Sequence, residues 1–192
     1  GYGLYTGGHF LSYDLNSGKF EDLGLAPHGE GILTMTMDTV RKQIYAITWP
    51  GGYFLHYDVE AGEMKDSGPV SANGEAGRIG EDYRVLCRSI FVDPRDGLVY
   101  YSTAEGDIMC YDPEGGTIEK LEDVDLRLDY FGSYDPADAG SMGYNWRAVV
   151  WYPKEEVAYG VHGNSGYLFK FDPEERKIEI VDRITSGPSR KS

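Results

Sequence analysis

The stretch FLHYDVEAGEMKDSG, residues 54–68, decides the fold. An alternating apolar segment runs into Tyr57-Asp58, a polar turn closes on Gly62, and a second alternating segment follows, so the stretch reads as strand, tight turn, strand. The same pattern recurs three times, as FLSYDLNSGKFEDLG (10–24), IMCYDPEGGTIEKLE (108–122) and LFKFDPEERKIEIVD (168–182). The aromatic-Asp pairs Tyr13-Asp14, Tyr57-Asp58, Tyr111-Asp112 and Phe171-Asp172 are spaced by 44, 54 and 60 residues. A strand-built period near the low end of that range, lengthened twice by insertion, is the signature of a β-propeller blade.

A second block precedes the last three copies: MTMDTVRKQIYAIT (35–48), IFVDPRDGLVYYST (90–103) and VVWYPKEEVAYGVH (149–162). Its Tyr45, Tyr100 and Tyr159 lie 12, 11 and 12 residues before their aromatic-Asp pairs. Each unit therefore has four strands, a to d. The expected blades are 30–70, 85–124 and 145–184, with 1–24 supplying strands b, c and d of a first blade and Tyr5 as counterpart of the repeated tyrosine. The fold class is all-β, a propeller of four-stranded antiparallel blades with about three and three-quarter blades present. Because the chain begins without Met inside a blade and its tail offers no closing strand, the reading is an internal fragment of a six- to eight-bladed propeller. A closed four-bladed ring is the rival.

Acidic residues outnumber basic ones 32 to 18, giving a net charge of −14 and a pI near 4.6. Phosphate-backbone binding needs a basic footprint, so nucleic acid and anionic membrane are excluded as partners. No apolar run is long enough to span a bilayer as a helix. Cys87 and Cys110 fall on strands a and c of one blade, too far apart for a disulfide, so two buried thiols are expected.

The d-to-a and b-to-c connections open on one face, around the channel mouth, and both long insertions (70–84 and 122–145) are d-to-a segments. A rigid scaffold that presents loops on one face is where function concentrates. Aligning strands a on Asp38, Asp93 and Tyr152 puts Leu33, Arg88 and Arg147 in one slot, and two arginines there suit a carboxylate ligand. The alternative is pairing with Glu30, Glu81 or Asp82. His162, which shares a slot with Thr48 and Thr103, joins His28 and His9 as loop histidines able to act as acid or base. His56, on strand c, is read as structural or exposed. Trp49, Tyr144, Asn145 and Trp146, with Tyr130, Phe131 and Tyr134, supply aromatic and amide groups of the kind that hold sugar rings. Trp146 aligns with core positions and is assigned to packing. The acidic run Glu122–Asp129 could hold Ca²⁺, although a solvated edge is the plainer reading; no other cofactor is implied.

The combination of YD-x-x-x-G-x-x-x-D-x-G with D-x-x-x-x-x-I/V-Y resembles bacterial kelch-like and quinoprotein-like (YVTN-like) propellers, among them those of polysaccharide lyases. That resemblance implies binding or cleavage of a uronate-containing glycan in a secreted or periplasmic setting. Arg88 and Arg147 would neutralise the carboxylate, His162 or His28 would act as base and Tyr144 as acid. Trp49, Asn145 and His9 would contact substrate. A noncatalytic scaffold that presents the same loops to a protein or glycan is the alternative.

Overall fold

The computed structural model describes residues 7–70, 86–127, 144–162 and 165–184. Among the described residues, fourteen strands form four antiparallel sheets. The first sheet has two strands, β1 (His9–Asp14) and β2 (Lys19–Leu25). The second blade contains β3 (Gly31–Asp38), β4 (Gln43–Trp49), β5 (Tyr53–Asp58) and β6 (Glu63–Pro69). The third contains β7 (Phe91–Val92), β8 (Val99–Ser102), β9 (Asp107–Asp112) and β10 (Thr117–Asp125). The fourth contains β11 (Trp146–Tyr152), β12 (Val157–His162), β13 (Tyr167–Asp172) and β14 (Lys177–Arg183). Strand a of each four-stranded sheet lies against strand a of the next, β3 on β7 and β7 on β11. That is the inner edge of a propeller.

The repeated Asp makes the turn between strands c and d. Its Oδ1 accepts backbone N–H groups two and three residues on: from Asn16 and Ser17 at Asp14, from Glu60 and Ala61 at Asp58, and from Glu174 and Glu175 at Asp172. A short side chain that replaces a backbone acceptor is why Asp sits at turn starts. The turn then needs a left-handed residue, which Gly18, Gly62 and Gly116 supply at φ of 69°, 69° and 63°. In the fourth copy Arg176 takes that conformation instead, at φ 50°.

The repeated aromatic is the interblade wedge. Tyr57 points back onto Phe10, Tyr111 onto Tyr45 and Phe54, and Phe171 onto Phe91 and Tyr100. Tyr57 is 4% exposed, and Tyr111 and Phe171 are both at 0%. Tyr13, in the same register, is 50% exposed, and its cross-strand partner Phe20 is 73% exposed. The wedges divide the core in two: a cluster around Phe10, Ile44, Leu55 and Tyr57 joins the first two sheets, and a larger one built on Phe54, Tyr111, Trp146 and Phe171 joins the rest.

Strand a of the third blade is shorter than its repeat suggests, because regular pairing is confined to Phe91–Val92. Ser89, just before it, gives its side chain to the neighbouring strand: Oγ accepts from Val149 N at 2.9 Å and faces Val149 O at 3.3 Å. Cys87 therefore lies ahead of strand a rather than on it. Both thiols are free and buried, as expected.

Candidate functional site

At the loop end, the strand-d β-bulge starts at Asp22 and at Asp66 in the first two sheets, whereas Asp125 and Asp182 follow the irregularity of strand d in the third and fourth. Asp22 Oδ1 accepts from Gly24 N at 3.0 Å, Asp66 Oδ1 from Gly68 N at 2.9 Å, Asp125 Oδ1 from Arg127 N at 2.8 Å and Asp182 Oδ1 from Arg183 N at 2.7 Å. Bulges re-aim side chains, and here the second carboxylate oxygen stays free for another donor. Asp22 Oδ2 meets His9 Nδ1 at 2.8 Å, Asp66 Oδ2 meets His28 Nε2 at 2.7 Å, and Asp125 Oδ2 receives the Arg127 guanidinium. In the fourth blade Arg183 lies over the Tyr167 ring, 5.3 Å from its centroid.

Among these corners, that of His28 is the most open to chemistry. His28 is exposed, and its φ of 61° puts it in the left-handed region, uncommon for a residue with a side chain. Its ring stacks on Tyr53 with centroids 4.1 Å apart. Nε2 faces the Asp66 carboxylate, and in a neutral ring that tautomer leaves Nδ1 as the acceptor. Two residues on, Glu30 accepts from Thr48 Oγ1 at 2.5 Å and from Gly51 N at 2.7 Å, which holds the b-to-c loop of the second blade.

His162 occupies a different environment. It is fully buried, and burial pushes its imidazole down to about 4, against an opposing hydrogen bond with the Tyr144 backbone. Its Nδ1 accepts from Ser165 N at 3.3 Å and lies 2.9 Å from Ser165 Oγ. Thr48 and Thr103, in the equivalent slot, do the same work: Thr48 Oγ1 accepts from Tyr53 N and Thr103 Oγ1 from Asp107 N. The shared slot is a cap for the b-to-c loop, an identity visible in the Thr/Thr/His alignment once the acceptor role is recognised. Asn145 is buried and takes a hydrogen bond from Ser102 Oγ at 3.1 Å, while Trp146, also buried, donates from Nε1 to Ser89 O at 2.7 Å. Tyr144, Asn145 and His162 therefore converge at the loop end of blades three and four, apart from the His28 corner.

Leu33 and Arg147 both occupy a β-bulge in strand a, so the slot that aligns them is a structural one. Arg88 lies in the same slot of the third blade, ahead of β7. Arg88 and Arg147 are partly buried and both are engaged by neighbouring groups. Trp49 is partly buried against the larger core cluster. His56 is structural: Nδ1 lies 2.8 Å from Tyr111 Oη and Nε2 2.6 Å from Gln43 Oε1, and burial pushes the ring toward the neutral form. Tyr130, Phe131, Tyr134, Glu81 and Asp82 lie outside the described residues.

The acidic run at the end of β10 is already occupied by cations of the protein itself. Arg127 Nη2 lies 2.9 Å from Asp107 and 3.0 Å from Asp125, and Lys120 Nζ lies 3.6 Å from Asp107. Among the described residues no group of three or more His, Cys, Asp or Glu is placed to hold a metal ion.

No family model matches the chain, and no curated protein matches it. Solved structures do resemble it. An auxiliary nutrient-binding protein of Bacteroides ovatus aligns over 94% of this chain and 38% of its own, with a TM-score of 0.60 and 17% identity. The extracellular domain of a hybrid two-component system of B. thetaiotaomicron aligns over 94% of this chain and 20% of its own, at TM-score 0.58 and 15% identity. An extracellular domain of a one-component system from the same organism gives 0.53 at 14% identity, over 91% of this chain and 20% of its own. At these identities the likeness is one of fold, and the chain spans 20% to 38% of the lengths of these structures.

Proposed function

We propose that the chain is part of an extracellular carbohydrate-binding β-propeller of six to eight blades. The observation that carries this reading is the His28 corner. An exposed imidazole stacked on Tyr53 and anchored by Asp66 offers a sugar a flat apolar surface beside fixed donors and acceptors. The fold likeness supports it, since two of the similar structures are extracellular domains and one is a nutrient-binding protein. The test is calorimetric titration of the protein with neutral and uronate-containing oligosaccharides. Binding by one class, weakened about fivefold in Tyr53→Ala, is the expected result, given roughly 1 kcal/mol for one ring contact. No binding by either class, or binding that Tyr53→Ala and His28→Ala leave unchanged, refutes the reading.

A second reading, β-elimination on a uronate glycan, is favoured by the His28–Asp66 pair, in which Asp66 holds Nε2–H and leaves Nδ1 as acceptor. Arg88, Arg147 and Tyr144 belong to the third and fourth blades, apart from this corner, so in this reading water would protonate the leaving group. Loss of unsaturated product in His28→Ala with glycan binding intact supports it. Binding by the unaltered protein without any product leaves the noncatalytic reading.

A further inference from the structure

The turn end of the molecule, opposite the His28 corner, holds a cleft of about 410 Å³ between blades three and four. Comparison with the neighbouring interface explains why it is open. Between blades two and three the corresponding space is filled by His56, which joins Tyr111 Oη at 2.8 Å and Gln43 Oε1 at 2.6 Å, and by Lys65, whose Nζ donates to Gly116 O at 3.2 Å. One blade on, each member of that plug is replaced. Cys110 stands in the slot of His56, Phe171 in that of Tyr111, Leu98 in that of Gln43 and Glu119 in that of Lys65. The cross-strand pairing is the same in both blades, His56 with Lys65 and Cys110 with Glu119, so the exchange is one of side chains on an unchanged frame.

The substitutions alter both the shape and the charge of the space. Leu98, Tyr100, Cys110 and Leu121 now make an apolar floor. The four carboxylates of the lining, Asp93, Asp96, Glu119 and Glu174, face two guanidiniums, Arg95 and Arg176. Arg95 is spent on Asp93 at 2.7 Å and on Glu174 at 3.3 Å, and the lining as a whole sets four carboxylates against two guanidiniums, with Arg41 acting on Asp96 from outside it. A pocket of this size with an apolar floor and a small number of oriented polar groups has the dimensions of a small-molecule site. Its surplus of negative charge selects the sign of the ligand.

We propose that the cleft between blades three and four binds a small organic cation with an aromatic or branched apolar body, its body on the Leu98–Tyr100–Leu121 floor and its charged group at Asp96 and Glu119. This site is independent of the carbohydrate reading, because it lies at the other end of the blades and uses none of the same residues.

The experiment is ligand-observed NMR on the protein with benzylamine, benzyl alcohol and benzoate as matched cationic, neutral and anionic probes. Saturable binding of benzylamine with a Kd of about 1 mM, at least roughly tenfold weaker for the other two, is expected. Glu119→Lys, a change at an exposed position to the residue found in the filled interface, should weaken benzylamine about tenfold. Cys110→His, combined with Phe171→Tyr, should close the cleft and abolish binding. If that double variant fails to fold, as judged by circular dichroism, Glu119→Lys alone decides. Absence of saturable benzylamine binding up to about 10 mM, equal binding of all three probes, or undiminished binding by Glu119→Lys overturns the proposal.

Discussion

Arg41 holds Asp38 through an Nη1–Oδ2 contact of 2.9 Å and, from that anchorage, reaches the carbonyl oxygens of Pro94 and Arg95 in the next blade. Arg95 repeats the arrangement. It clasps the fully buried Asp93 through Nε and Nη2 and extends to Glu174 one blade further on. Each latch therefore satisfies a buried carboxylate within its own turn and ties that turn to the following sheet. In the fourth blade Tyr152 replaces the Asp, and its ring packs edge-on against Tyr159.

Replacing Arg95 with Met should be costly, because the Asp93 carboxylate would be left buried without its cation. A loss on the order of 3 kcal/mol is expected. Urea denaturation of the single variant measures it. The double variant Arg95→Met with Asp93→Leu should recover most of the loss, and a loss below about 1 kcal/mol in the single variant would show the latch to be dispensable.

The Asp38 latch should be sensitive to acid. Burial pushes the Asp38 carboxyl up, but the Arg41 and Val40 amides and the Arg41 guanidinium outweigh it, and the net shift is downward. A carboxyl whose folded pKa lies below its unfolded value of about 3.9 stabilises the fold above that pH, and the contribution is lost as pH falls through the folded value. Comparing urea midpoints of the protein and of Asp38→Asn from pH 6 to pH 3 checks this. The gap between them should narrow only below about pH 4.

Wedge aromatics should divide by position. Tyr111→Ala removes a fully buried ring from the joint between blades two and three and should cost about 3–5 kcal/mol. Tyr13→Ala, whose ring touches Phe20 but is half exposed, should cost less than about 1 kcal/mol in this chain. Similar losses in the two variants would mean that the ring of Tyr13 is covered in solution.

His162 should behave as a loop cap. His162→Thr, which installs the residue used in the other blades, should be tolerated better than His162→Ala. Burial keeps the folded imidazole neutral down to about 4, whereas an unfolded one binds a proton near 6.5. Stability therefore falls as pH drops from about 6.5 toward 4, by an amount on the order of 3 kcal/mol, and His162→Thr should remove that portion of the pH dependence. Thermal melts at pH 7 and pH 4.5 separate the two variants.

The thiols should be silent toward a disulfide reagent in the native state. Cys110 is pushed up to about 11 by burial, and Cys87 is raised for the same reason. Colorimetric thiol titration should find neither cysteine in buffer and both in denaturant.

The strands and their turns were legible because they rest on short-range chemistry. Asp14, Asp58 and Asp172 bond amides two and three residues away, and Gly18 and Gly62 supply a backbone conformation that the same four or five residues demand. Other features depend on which sheet a side chain meets, and periodicity carries no such information. Arg41 and Arg95 gave no sign of an interblade role, because their partners lie 53 to 79 residues away in sequence. His28, His9 and His162 looked alike as loop histidines. Two of them meet a strand-d Asp in the open and the third is sealed behind Ser165, a distinction set by packing alone.

The one-way setting of the aromatic wedges, Tyr57 into the first sheet, Tyr111 into the second and Phe171 into the third, has a genetic consequence. The second and third sheets each carry a plug on one side and receive one on the other. Tandem duplication of the coding segment for a whole sheet would thus deliver a unit that already fits both of its new neighbours. A recess can then differ from sheet to sheet on the same frame, as His56 and Cys110 do in one slot.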